Sequence, residues 1–491
     1  MSRKKIIVIG GGFSGMAAAS LLALKGFEVK LLEKNDQMGG RARIWESMGY
    51  TFDMGPSWYW MPDVFEAFYQ KFGYTTSDLY KLVRLDPGYR IYFSKTDFLD
   101  IPADMNELEA LFENMEPGAG QVLKQFLEQA EYKYKVGMQE YVFRPSHSIS
   151  EFLDLRLLKE ALKIQILQSQ SSHVRKHFKN PKLRAILEFP VLFLGGTAQQ
   201  IPALYSMMNF ADLSMGTWYP MGGMHQIVQA MEKICKEKGV EIHLNTEVLG
   251  MEITDSEIQK LKTNQGDFEA DLVISGADYE HIDQEITPPV YRNYSPKYWD
   301  SRVLSPSSLL FYLGLNQKIK GIRHHSLFFD ESLDDHAREI YNEPQWPSKP
   351  LFYACCTSVT DPSSAPHGGE NLFLLMPIAP GLKDSEEIRE KYFEIILKRL
   401  EDALQQDIRS SIVVKRSYAL KDFKEDYHSF KGNAYGLANT LMQTAFLKPK
   451  MRSKKIKNLL FTGQLTVPGP GVPPSLISGE IAAKEAENYF L

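Results

Sequence analysis

The sequence predicts an α/β fold in which a parallel sheet flanked by helices is interrupted by a second, α+β unit, and three stretches carry that expectation. Near the start, Lys5-Ile6-Ile7-Val8-Ile9 reads as an apolar, β-branched strand. It enters Gly10-Gly11-Gly12-Phe13-Ser14-Gly15 and leaves through a small-residue helix, Met16 to Leu24. Past the middle, Leu272-Val273-Ile274-Ser275-Gly276 is a second short apolar run closed by glycine. Near the end, Asn458-Leu459-Leu460-Phe461-Thr462-Gly463 has the same form and feeds a Pro/Gly-rich loop and a further helix.

In the first unit each glycine has its own task. Gly10 allows a tight turn, Gly12 lets a pyrophosphate approach the backbone at a helix N-terminus, and Gly15 lets the helix pack closely on its strand. The strand Glu28 to Leu32 then ends at Glu33, roughly 20 residues beyond the glycines, where a carboxylate accepts hydrogen bonds from a ribose diol. These features together predict a Rossmann-type dinucleotide site, with Phe13, Ser14 and Lys34 beside the glycines and the acid. FAD and NAD both fit this fingerprint. Next, Gly39-Gly40-Arg41-Ala42-Arg43 combines close backbone approach with fixed positive charge suited to a pyrophosphate. The strand-like Tyr50 to Asp53 leads into Gly55-Pro56-Ser57 and an aromatic cluster, Trp58-Tyr59-Trp60, a turn able to support a planar ring.

From roughly residue 80 to 215 the pattern becomes long and mostly helical, broken at Pro117-Gly118, Arg144-Pro145 and Asn180-Pro181. Ser150-Glu151 reads as a helix start, with Phe152, Leu155, Leu158, Leu162 and Ile166 on one face and basic residues following. Two readings stand side by side: a segment that touches membrane or lines a tunnel, and a core-packed helix with a solvated basic end. Glu151 is a candidate for proton transfer, although a carboxylate in a first helical turn also complements the helix dipole. Gly216 to Met224 returns to turn chemistry and opens a helix, Gln226 to Lys238. The runs at 241–244, 248–253 and 258–263 read as a β-meander that returns to the parallel strand at 271–277. Residues from about 290 to 430 form a second insertion with strand-like runs at 308–313 and 371–376.

The closing loop, Gln464 to Gly479, is rigid through its prolines and exposes backbone amides through Gly469 and Gly471. The small-residue helix Ser478 to Ala483 is expected to direct a second N-terminus inward. A flavin benefits from such a terminus near its pyrimidine edge, so this loop turns the expectation from a dinucleotide toward FAD.

Composition sets outer limits. A chain of 491 residues with net charge -5 argues against a generally nucleic-acid-binding surface. Its three cysteines, Cys235, Cys355 and Cys356, show no CxxC spacing and no Cys/His cluster that suggests a metal, and they read as reduced thiols. No apolar run reaches the length of a membrane span, and the first strand starts too early to leave room for a signal peptide, so a cytoplasmic location is expected. Peripheral membrane contact is compatible with both facts.

In this order the motifs resemble those of the flavin-dependent carotenoid desaturases, most closely the bacterial phytoene desaturases. The resemblance covers nearly the whole chain. It rests on Gly10-x-Gly12-x-x-Gly15 with Glu33, Gly39-Gly40-Arg41, Asp53 to Ser57, Gly216 to Gly223, Ala270 to Asp278 and Gly463 to Gly479. Many relatives carry a histidine before the first proline of the last loop, where this chain has Val467. The resemblance implies a Rossmann-type FAD-binding domain (1–80, 216–288 and 431–491). Interleaved with it would be an α+β domain (81–215 and 289–430) that binds substrate, contacts the membrane and carries a helical lid. Glu33 would hold the adenosine ribose and Gly12, Gly40 and Arg41 the pyrophosphate. Gly55, Pro56, Gly463 and Val472 would lie near the isoalloxazine and Val248 near the adenine, and Gly471 would also contact the cofactor. FAD would be held non-covalently, since no cysteine follows Cys356.

The implied reaction removes two hydrogens from a C40 carotenoid taken from the membrane, by hydride transfer from an allylic carbon and proton loss from its neighbour. Phytoene converted stepwise to lycopene is the first expectation, and a hydroxycarotenoid 3,4-desaturase the nearest alternative. Amine or protoporphyrinogen oxidase, or a non-enzymatic prenyl-lipid escort, are more distant. A quinone and oxygen both stand as electron acceptors.

Overall fold

The computed structural model describes residues 3–148, 151 and 168–491. Its centre is a five-stranded sheet in the order Leu459–Phe461, Leu272–Ser275, Lys5–Ile9, Glu28–Leu32, Glu241–His243, with every neighbouring pair parallel. Parallel sheets are covered on both faces, and alternation along the strands shows how this one is. Ile6, Val8, Leu272 and Ile274 pack into one core with the helices Phe13–Leu24, His225–Glu237 and Val472–Tyr489. Ile7, Ile9 and Val273 point the other way, into a core shared with the antiparallel meander Val248–Thr254, Glu257–Thr263 and Gly266–Glu269. Strand order reverses at Lys5–Ile9, whose two neighbours are Glu28–Leu32, next in the chain, and Leu272–Ser275, from past its middle. The crevice beyond its carboxyl end is the place where open α/β sheets bind ligands.

A second sheet of seven strands runs Ile412–Tyr418, Ser307–Leu315, Glu370–Ile378, Phe352–Cys355, His325–Phe328, Tyr89–Tyr92, Phe98–Ile101. All its pairs are antiparallel except Tyr89–Tyr92 against His325–Phe328. Leu309, Phe311, Phe328 and Leu374 pack against the helix Glu386–Leu404, while Leu310, Tyr312, Leu327 and Tyr353 face the first sheet's core. Both halves of the molecule therefore present a face to one shared interior.

Two expectations need correction. The stretch from residue 80 begins as strands, Leu82–Arg84, Tyr89–Tyr92 and Phe98–Ile101, before the helices Met105–Met115 and Ala119–Val136. Tyr89-Arg90-Ile91-Tyr92 is aromatic and β-branched, a composition that suits a strand paired on both sides, here with His325–Phe328 and Phe98–Ile101. At the other end, the last helix begins at Val472, with Pro473 and Pro474 in its first turn, and not at Ser478. Proline belongs there, since its fixed φ suits a helix start and its missing N–H would have had no intrahelical partner. The expected helix with Phe152 to Ile166 on one face lies outside the described residues.

The helix Phe13–Leu24 is wedged between strand and final helix at side-chain-free contacts. A Cβ on Gly15 would lie 2.0 Å from Gly10 O, and one on Gly479 would lie 2.2 Å from Ser14 O and 2.7 Å from Ala17 Cβ. Gly479→Ala is accordingly expected to destabilise the protein by about 1–3 kcal/mol through overpacking. The readout is a lower urea midpoint with an unchanged m-value, and an unshifted midpoint would refute the close contact.

Candidate active site

At the carboxyl end of Lys5–Ile9 the chain turns through Gly10, whose φ of 96° is left-handed and whose Cβ would stand 3.2 Å from Ala277 N. Gly12 caps the following helix without a side chain, and nothing lies within 4 Å of where its Cβ would be. That open space at a helix N-terminus belongs to a cleft of about 450 Å³. Gly10, Gly12, Phe13 and Ser14 form one wall of the cleft, and Gly40 faces them, its Cβ position 3.4 Å from Gly12 Cα. Glu33, Lys34 and Val248 line the same cleft, as do Gly55, Pro56, Ser57, Gly463, Gly471 and Val472. Gly15 is set back from the cleft and serves packing, as its contact with Gly10 O requires.

Glu33 is 4% exposed and holds the turn together. Its Oε2 accepts from Gly11 N–H at 2.7 Å, and its Oε1 accepts from Asn35 N and Asn35 Nδ2, both at 2.9 Å. A carboxylate has about four acceptor positions, so capacity remains on the cleft side. Asn35 and the Gly11 amide are thus part of the site, although sequence reading singled out the acid alone.

Arg41 is the buried cation of the site. Its Nη2 donates to Ser429 Oγ at 3.2 Å and Asn433 O at 3.4 Å, and the guanidinium lies 5.0 Å from the Tyr427 ring centre. In the amide orientation its neighbours require, Gln464 also accepts from Arg41 Nη2 at 2.9 Å. Arg41 Nε has no partner among the described residues. Burial pulls the Arg41 pKa down, and the nearby Asp278 carboxylate opposes that. Asp278, at the end of the strand Leu272–Ser275, lines the same cleft; burial raises its pKa to about 6 while Arg41 and the amides of Phe430, His281 and Glu280 lower it. The partners of Arg41 lie nearly 400 residues away in sequence, and local pattern carries no trace of them. Asp278 had a usable signal, an acid just after a strand-ending glycine.

The cleft also has an apolar lining that includes Phe189, Leu194, Leu310, Phe329, Ile340 and Leu351. His336 lines it with both ring nitrogens engaged: Nε2–H donates to Pro377 O at 2.9 Å and Nδ1 accepts from Leu351 N–H at 3.0 Å. Burial lowers its pKa to about 4, so the ring is neutral and has no free lone pair. The Tyr341 hydroxyl is buried at this wall without a partner among the described residues. Glu151 is not on the wall. Its carboxylate accepts from the amides of Ser146, His147 and Ser148 at 3.0, 2.6 and 3.2 Å, an anchoring position for that loop. Cys355 lies behind the aromatic wall in a buried group with His324 and His325, which corrects the expectation that no Cys/His cluster exists. Strand pairing assembles it, and linear spacing does not show it.

Lys448 supports the closing loop from behind. It is 2% exposed, its Nζ has no partner among the described residues, and a Cβ on Gly469 would lie 3.1 Å from it. Burial lowers its pKa to about 7. Between that value and the ordinary lysine pKa the unfolded chain binds the extra proton, so this group makes stability rise with pH across that window. Lys448→Met should remove the slope: wild type gains stability relative to the variant from pH 6.5 to pH 9, measured by urea unfolding, and parallel curves would contradict this assignment.

These glycine cradles, the buried acid and the buried cation fit an adenine dinucleotide. Comparison with known proteins agrees. The family described as flavin containing amine oxidoreductase matches residues 13–486. A carotenoid 3,4-desaturase of Haloarcula japonica is 41% identical over 492 residues, covering 99% of this chain and 98% of that one. A 4,4'-diapophytoene desaturase (4,4'-diaponeurosporene-forming) of Staphylococcus haemolyticus is 32% identical, covering 98% of both. Among solved structures, an oxidoreductase from Methanosarcina mazei has a TM-score of 0.62 at 16% identity, covering 98% of this chain and 100% of that one. Putrescine oxidase bound to putrescine has a TM-score of 0.61 at 15% identity, with 99% of both chains covered. The chain belongs to the flavin containing amine oxidoreductase family, as an FAD-dependent oxidoreductase among the carotenoid desaturases.

Proposed function

We propose that the protein desaturates a long isoprenoid polyene, with FAD held non-covalently along the polar half of the cleft and the substrate in its apolar half. The observation that carries this reading is the continuity of the cleft, since one cavity is lined both by Gly12 and Glu33 and by Phe189, Phe329 and Ile340. The division of labour follows: 1–80, 216–288 and 431–491 bind FAD, while 81–215 and 289–430 bind substrate and contribute a helical lid. Gly12, Gly40 and Arg41 take the pyrophosphate, Glu33 the ribose, Val248 the adenine side, and Gly55, Pro56, Gly463, Gly471 and Val472 the ring. Bound there, FAD supplies a two-electron acceptor for a hydride.

The chain's own part is positioning and exclusion of water. Apolar walls orient a substrate that offers few polar handles, and the glycine-rich turns with the N-terminus of the helix that starts at Val472 would hold the flavin ring. Loss of an allylic hydride leaves a delocalised cation on the substrate, whose neighbouring C–H is acidic enough to lose its proton without a dedicated strong base.

Two substrates compete. The sequence motifs put phytoene first, but the 41% identity to a carotenoid 3,4-desaturase, against 32% for a diapophytoene desaturase, favours 3,4-desaturation of a carotenoid. The partnerless Tyr341 hydroxyl supports the same order, because it offers a hydrogen bond to a hydroxylated substrate. Among the described residues no helix is long and apolar enough to cross a membrane. Peripheral contact is proposed from an exposed apolar group, Val303, Leu441 and Met442, tied together by Gln443 hydrogen bonds to the Val303 backbone. The acceptor that reoxidises the flavin, quinone or oxygen, is left to the assay.

FAD-loaded enzyme incubated with liposomes carrying phytoene or a hydroxylated carotenoid, with a quinone or oxygen, tests this by chromatography and absorbance. Longer-wavelength product from the hydroxylated substrate, with kcat/KM reduced about tenfold by Tyr341→Phe, supports 3,4-desaturation; product from phytoene alone supports phytoene desaturation; no product from either refutes both. Denaturation should release all the flavin from the peptide. Glu33→Ala with Arg41→Ala should weaken FAD binding at least about tenfold, and unchanged FAD affinity would show that the site is misassigned.

A further inference from the structure

Behind the aromatic wall of the cleft, three ligand-bearing side chains meet. His325 stands directly across the antiparallel ladder from Cys355, which puts imidazole and thiol on the same face. His324 brings its ring centre to 4.5 Å from that of His325. One ring nitrogen of each histidine and Cys355 Sγ all lie within 4.8 Å of one another. The three residues are 4%, 0% and 2% exposed, so the group is shielded from water.

Hydrogen bonding selects the nitrogens. Tyr353 donates its hydroxyl to Ser57 Oγ at 3.0 Å, so its oxygen accepts from His325 Nδ1–H at 2.6 Å. That tautomer leaves His325 Nε2 as a bare lone pair, with no partner among the described residues. His324 Nδ1 lies 2.8 Å from Thr360 Oγ1, which accepts when Nδ1 carries the proton, and its Nε2 likewise has no partner among the described residues. Trp58 stacks on the His325 ring at 4.1 Å and 8°, fixing its plane. Metal-ligating histidines are held this way, with the second ring N–H given to an oxygen so that the lone pair is aimed. Two buried ring nitrogens without partners, on histidines grouped with a buried thiol, are costly unless something takes them up.

We propose that His324, His325 and Cys355 bind a thiophilic d10 cation, Zn²⁺ or Cu⁺, through two imidazole nitrogens and a thiolate. Two imidazoles and one thiolate suit these ions, and with Zn²⁺ a fourth position stays open to a further donor. On binding, the Cys355 S–H bond is replaced by a metal–sulfur bond and one proton goes to solvent, with no change of oxidation state. The ion ties His325–Phe328 to Phe352–Cys355 and, through His325, holds Trp58 against the cleft. It is a structural staple for the substrate wall, separate from the electron path.

The test uses FAD-loaded protein purified from cells grown with added zinc, copper or cobalt, desalted, and analysed by metal mass spectrometry. About one ion per chain is expected, and the ion retained when zinc and copper are supplied together identifies the resident metal. The cobalt form should show a thiolate-to-cobalt charge-transfer band in the near ultraviolet and visible d–d bands. Cys355→Ser and, separately, His324→Gln should lower the metal content at least tenfold while the flavin spectrum persists. Wild-type protein with less than about 0.1 ion per chain from every medium, or variants that hold as much metal as wild type, would overturn the proposal. Should a variant fail to fold, wild-type stoichiometry and the charge-transfer band decide alone.

Discussion

The fold depends on backbone meeting backbone at the carboxyl end of the central strand. Gly15 sits against Gly10 O and Gly479 against Ser14 O at separations that admit no side chain, and Gly276 is tight against Ile9 O. These contacts bring the first helix, the strand Leu272–Ser275 and the last helix around one point, although the chain visits it at its beginning, middle and end. The result is a crevice whose floor is amide groups and whose rim is small residues. An anion can reach the helix N-terminus there without first displacing a side chain.

Around that point the electrostatics are built by burial and by partners from distant parts of the chain. Glu33 spends part of its acceptor capacity on Gly11 and Asn35, which holds the turn in shape. Arg41 is kept under Tyr427 and between the carbonyl and hydroxyl oxygens of the 429–433 turn. With Nε still unsatisfied and Asp278 close, the pair has charge and donors left for a ligand. The opposite half of the cleft has the reverse character. Alternation in the seven-stranded sheet sends one set of side chains into its own core and the other into the cleft, which makes a long apolar wall without any special motif.

The two halves are joined by a short polar chain, from Ser57 on the glycine-rich side to the Tyr353 hydroxyl and His325 Nδ1 on the sheet. Trp58, next in sequence to Ser57, stacks on the same histidine. The position of the aromatic wall relative to the Gly55-Pro56-Ser57 turn is therefore set by hydrogen bonding and stacking as well as by apolar contact. A metal at His324, His325 and Cys355 would stiffen this joint at its sheet end.

How much of this was legible in the sequence follows from the range of the interactions involved. Strand, glycine turn and helix at 5–24, the acid at Glu33, the glycine pair before Arg41 and the closing Pro/Gly loop are local, because glycine φ, proline φ and β-branching act within a few residues. Those features were enough for the α/β fold and the dinucleotide cradle. The start of the last helix at Val472 was local too, and was missed because two prolines read as loop where they in fact occupy the first turn. Tertiary structure decided the rest. Only strand pairing could place His325 opposite Cys355, only the packing of the 426–433 segment could surround Arg41, and only the burial of Lys448 could shift its charge. Each depends on groups far apart in the chain, and a burial or an ion pair has no sequence signature until the fold supplies the second partner.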